Sequence, residues 1–95
     1  MLFEWDEDKR QSNLVKHCID FRDALRVFDG PVFEIKDHRR GEDRIVAIGL
    51  VENVEIVVVY VMRGQRRRMI SARRAHRHER QDYANHLKDA DQGEN

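Results

Sequence analysis

The chain has a single cysteine, Cys18, no net charge, and no apolar run near the roughly 18 residues that a membrane-spanning helix needs. One thiol excludes a disulfide framework and a cysteine-rich zinc site, and it suits a reducing cytoplasm. The opening MLFEWDEDKR lacks the basic-then-apolar pattern of a secretory leader, so neither export nor membrane insertion is expected. At 95 residues, 40% hydrophobic and 38% charged, the chain is expected to form one small domain over residues 1–87. Aromatic side chains must supply much of its core.

The zero net charge conceals a strong segregation. Residues 1–62 hold nine Lys/Arg against thirteen Asp/Glu, whereas residues 63–80, RGQRRRMISARRAHRHER, hold eight arginines and one glutamate. Residues 81–95 turn acidic again, and the tail 88–95 is expected to fray. A local positive field can exist on a neutral protein and attracts nucleic acid or an acidic protein segment.

Periodicity predicts the order β-α-α-β-β-β-β-α. LFEW (2–5) reads as a short strand, and Asp6 suits the N-cap of a helix over 7–17. On that helix Lys9, Asn13, Lys16 and His17 fall within about a 100° arc, a polar stripe that can be either a solvated side or a binding face. Asp20 caps a second helix, on which Phe21, Ala24, Leu25 and Phe28 share one apolar stripe, and Gly30-Pro31 ends it. Strands are expected over 32–36, 44–50, 54–62 and 66–73, with a polar turn over 37–43 and shorter ones near Glu52-Asn53 and Arg63–Gln65. Ile56 to Met62 is apolar on both faces, which predicts a central strand covered on both sides. A closing helix is expected over 77–87, with His76 as a poor N-cap and Glu79 completing a weakened capping box. Hairpin-length connections make the sheet mainly antiparallel, four- to five-stranded, in a two-layer α+β domain.

Three stretches in this order resemble the BrnT family of type II toxins. They are FEWDEDKRQSNLVKHCIDFRDALRVF (3–28), GEDRIVAIGLVENVEIVVVY (41–60) and RMISARRAHRHERQDY (68–83). The resemblance implies a RelE-like toxin fold and an endoribonuclease that needs no metal or other cofactor and inhibits translation. It also implies neutralisation by a BrnA-like ribbon-helix-helix antitoxin, through which the complex reaches operator DNA. Two departures from the family pattern stand out: Cys18 replaces a glycine after the Lys-His pair, and the loop over 37–42 is short. A left-handed C-cap at position 18 would cost a residue with a Cβ roughly 1 kcal/mol. Either departure could attenuate the site.

Metal-free RNA cleavage needs a base for the 2′-OH, cations for the phosphorane and an acid for the 5′-oxygen. His17 is the acid–base candidate by residue type, and Glu42 can be a base or can hold a guanidinium. Arg44 and Arg73 are candidates for the phosphorane because guanidinium binds two phosphate oxygens while staying charged. Lys9, Lys16, Arg66, Arg68 and Arg74 are candidate RNA contacts. Arg66 and Arg68 should share one face of their strand and Arg67 the other. His76 and His78 point about 200° apart on a helix, so no metal site is expected there. The alternative is a non-catalytic nucleic-acid-binding regulator that uses the basic strand 66–74; a third reading is a structural protein whose basic run docks an acidic partner.

Overall fold

The computed structural model describes residues 2–93. The chain runs β1 (Leu2–Glu4), α1 (Glu7–His17), α2 (Phe21–Ala24), a 3₁₀ segment (Leu25–Asp29), β2 (Phe33–Arg39), β3 (Glu42–Val51), β4 (Val54–Arg63), β5 (Arg66–Arg74) and α3 (Arg77–Gly93). This is the expected order and the expected α+β class. The five strands form one mixed sheet in the order β1-β5-β4-β3-β2, with β1 parallel to β5 and every other pair antiparallel. The apolar strand β4 lies at the centre, as its two apolar faces require.

The helices lie on both faces, so the expected two layers are in fact three. On one face α2 and the 3₁₀ segment bury Phe21, Ala24 and Val27 against Ala47, Ile56, Val58, Tyr60, Met69 and Ala72. On the other face Tyr83 of α3 and Ala75 pack on Ile48 and Val57. Tyr83 anchors the helix further by donating from its hydroxyl to the Pro31 carbonyl at 2.8 Å. α3 also runs beyond the Leu87 boundary expected for it; within the tail 88–95, residues 94 and 95 lie outside the described residues.

The second helix departs from its expected geometry. After Ala24 the chain tightens to 3₁₀, whose three-residue period puts Phe21, Ala24 and Val27 in line. These three are fully buried, while Leu25 and Phe28 are only partly so. Gly49 makes the approach possible: a Cβ there would meet the Val27 Cβ at 2.8 Å.

The expected polar turn over 37–43 does not exist as a loop. β2 and β3 continue into a two-residue hairpin at Arg40-Gly41, both at positive φ (51° and 74°). Glu52-Asn53 makes the equivalent turn between β3 and β4, at 51° and 65°. Positive φ at both central residues matches the right-handed twist of the strands it joins.

The pairing of β5 with β4 contains one irregularity. Val59 pairs with Ser71 but Tyr60 pairs with Met69, so Ile70 is an extra residue, a β-bulge. Across the bulge the alternation reverses, and Met69 and Ala72, three positions apart, both face α2.

Candidate active site at the end of the first helix

β1 covers β5 only over Arg66–Arg68, which leaves the rest of that strand edge in need of partners. α1 supplies one. The buried Asn13 side chain accepts from the Ala72 N–H at 3.1 Å and donates to the Ala72 carbonyl at 2.8 Å and to the Ile19 carbonyl at 2.9 Å. A carboxamide has the donor and acceptor of a peptide group, so Asn13 takes the place of a missing strand residue. Asn13 belonged to the expected polar stripe, and the stripe therefore divides: Asn13 faces inward while its neighbours line the surface beside it.

The helix caps fix the ends of this arrangement. Asp6 accepts from the Asp8 N–H at 2.9 Å as expected. Cys18 ends α1 in the left-handed conformation (φ 59°, ψ 28°) and donates its N–H to the Leu14 carbonyl at 2.9 Å. Arg10, paired with Glu7 and, at 2.8 Å, with Asp20, ties α1 to the start of α2. Hydrogen bonding from Arg10 holds the Glu7 carboxyl down at about 2.

Two recesses meet at His17. One, of about 210 Å³, lies between α1 and β5 and is lined by Lys9, Ser12, Asn13, Lys16, His17, Ile70 and Ser71. The other, of about 320 Å³, lies between α2 and the β4–β5 end of the sheet; its walls include His17, Asp20, Asp23 and Arg74. The structure thus brings together His17, Lys9, Lys16 and Arg74 from the expected set. Lys9, Lys16 and Arg74 are exposed, and among the described residues none of them makes an ion pair.

The remaining expected residues go elsewhere. Arg73 lies on the α3 face, opposite Val57, and its guanidinium grips Glu79 through two hydrogen bonds of 2.7 and 2.9 Å. Glu79 also accepts from the His76 N–H at 2.7 Å, the half of the capping box that does not need a good cap side chain. Hydrogen bonding from Arg73, then from His76, outweighs burial and holds the Glu79 carboxyl down at about 2. Glu42 and Arg44, 3.5 Å from each other, sit at the start of β3. By register Arg44 is four residues and two strands from Arg73, about 13 Å along the strands and 10 Å across them. The four expected catalytic residues therefore do not converge. Arg68 pairs with Glu4 at 2.7 Å, and Arg66 is exposed at the far end of β5. As alternation predicted, Arg67 is on the other face, with its guanidinium 5.2–5.9 Å from the ring centres of Tyr60, Phe28 and Phe3.

The fold and this recess describe a small α+β protein with a cation-lined helix end. The sequence comparison gives the family: residues 5–79 match the family described as ribonuclease toxin, BrnT, of type II toxin–antitoxin system, and the chain belongs to it. No curated protein sequence matches the chain. Among the described residues, no helix is long and apolar enough to cross a membrane.

Proposed function

We propose that this BrnT-family chain is a metal-independent endoribonuclease whose reaction centre is His17. The observation that carries the proposal is the position of His17 on the shared wall of two recesses, with cations on both sides that make no ion pair among the described residues. An RNA strand lying across this wall would have its phosphates over Lys9 and Lys16, with Arg74 closing the site from the β5 side. The 2′-oxygen attacks phosphorus and the 5′-oxygen leaves. An imidazole can take the first proton and return one to the leaving group. The lysines offset the charge of the phosphorane from the solvent-exposed side of the recess. In this reading Arg73 keeps α3 in place, and Glu42 and Arg44 stay outside the reaction centre.

The family's biology completes the proposal. Cleavage of RNA in the cytoplasm would suppress translation, and a BrnA-like antitoxin with a ribbon-helix-helix domain would neutralise the chain and bring it to operator DNA. The regulator reading is less well supported. Of the five arginines in 66–74, Arg67, Arg68 and Arg73 are already held by aromatic rings or carboxylates. Incubating purified protein with single-stranded RNA in excess chelator tests the proposal directly. Cleavage that survives chelation and disappears in His17→Ala is expected; salt-sensitive binding without cleavage would instead establish the regulator.

A further inference from the structure

The larger recess has features that a phosphate groove does not need. Its lining is partly apolar, with Ala24, Val51, Val54 and Ile56, and carries both signs of charge, Arg74 from β5 and Asp20 and Asp23 from the start of α2. Both oxygens of Asp20 are occupied, Oδ1 by the Arg22 N–H at 2.9 Å and Oδ2 by Arg10 at 2.8 Å. Asp23 is exposed and makes no ion pair among the described residues, so its carboxylate is open to a ligand in the recess. The volume, about 320 Å³, is at the lower end of the roughly 300–1,000 Å³ of small-molecule sites.

We propose that this recess is a nucleobase subsite selective for guanine, with Asp23 as its specificity-determining residue. The inference rests on the ribonuclease reading only in placing a phosphate beside His17; the base chemistry stands on the recess itself. An apolar surface such as Val51, Val54 and Ile56 accepts the face of an unstacked base, as single-stranded RNA is commonly read. A carboxylate only accepts hydrogen bonds, and its two oxygens match two adjacent donors. Guanine presents such a pair, N1–H and the N2 amino group. Adenine and cytosine offer one amino group beside a ring nitrogen lone pair, and uracil one N–H between two carbonyls. Each of those would set a lone pair against the second carboxylate oxygen. Arg74 fits the same base, because guanidinium donors match the O6 and N7 acceptors of guanine. Guanine thus has donors for Asp23 on its Watson–Crick edge and acceptors for Arg74 on the adjoining Hoogsteen edge.

Isothermal titration of the folded chain with the four nucleoside 3′-monophosphates, at fixed low salt, tests the assignment without requiring catalysis. Guanosine 3′-monophosphate is expected to bind at least about tenfold more tightly than the other three. Asp23→Asn, an exposed substitution that puts an N–H donor against a guanine donor, should abolish the preference, and the adenine and cytosine nucleotides, whose amino group and ring nitrogen match a carboxamide, should bind more tightly than to the parent. Equal binding of all four, no binding, or a guanine preference that survives Asp23→Asn would overturn the inference. The two readings fail separately. A chain that binds guanosine 3′-monophosphate selectively but leaves RNA intact defeats only the ribonuclease proposal. One that cuts RNA while binding the four nucleotides equally defeats only the guanine subsite.

Discussion

The two cationic regions of this chain, the stripe on α1 and the arginine run of β5, end in opposite states. The run is far denser in charge, yet Arg67 is among aromatic rings, Arg68 is on Glu4 and Arg73 is on Glu79. The stripe is sparse, and Lys9, Lys16 and His17 border an open recess. Charge density is therefore a poor guide to which cations stay available to a ligand. A guanidinium already paired has little left to offer a phosphate, whereas an unpaired cation at a concave surface retains its full field. The lesson is to count carboxylates and rings around each cation before assigning it to a ligand.

The sharpest way to break the comparison is to remove His17. His17→Ala should lower RNA cleavage by about 10²–10⁴-fold, the usual contribution of a positioned acid–base group, with little change in thermal stability. Retained cleavage would move the reaction centre away from the helix end. Next in size is Asn13→Ala, which leaves the backbone N–H and carbonyl of Ala72 buried without their partner. A loss of about 3 kcal/mol in urea unfolding is expected, together with loss of cleavage as α1 shifts.

Arg73→Ala tests the other half of the comparison. It should cost about 2 kcal/mol of stability, because Glu79 is left largely buried without its cation. A variant that still folds should keep cutting RNA. The Glu79 carboxyl also gives this region a pH signature. Its pKa is depressed from 4.5 to about 2 on folding, so its stabilisation is fully present above 4.5 and is lost as pH falls through about 2. Glu79→Gln should flatten that part of the stability–pH curve measured by circular dichroism. The smallest effect is expected from Cys18→Gly. Relief of the left-handed strain should stabilise the chain by about 1 kcal/mol in thermal melts. A parallel rise in cleavage would mean that Cys18 attenuates the site, and an unchanged rate would exclude that role.

Much of this molecule was legible because its signals are local. Asp6 and Asp20 mark helix starts through side chains that reach the backbone two residues on, and the double apolar run of β4 marks the sheet centre. Asn13 was legible as a polar residue on the right face but not as a buried one. Its partner, Ala72, is 59 residues away, and no sequence period links them. Val27 was missed because the helical period of 3.6 gives way to 3.0 after Ala24, at the contact with Gly49.

By itself, the sequence determined the family, through motifs spread along most of the chain, and the element order, the capping residues, the central strand and the polar stripe on α1, which depend on neighbours within a few positions. Tertiary structure alone decided which arginine of the pair Arg73-Arg74 reaches the groove. Strict alternation from Arg67 and Met69 would turn Arg73 toward α1 and α2 and Arg74 toward α3. The extra residue at Ile70 reverses this, sending Arg73 to Glu79 and Arg74 to the recess beside His17. A bulge is set by how β4 and β5 pair across the sheet, and one inserted residue exchanges the faces of every side chain after it.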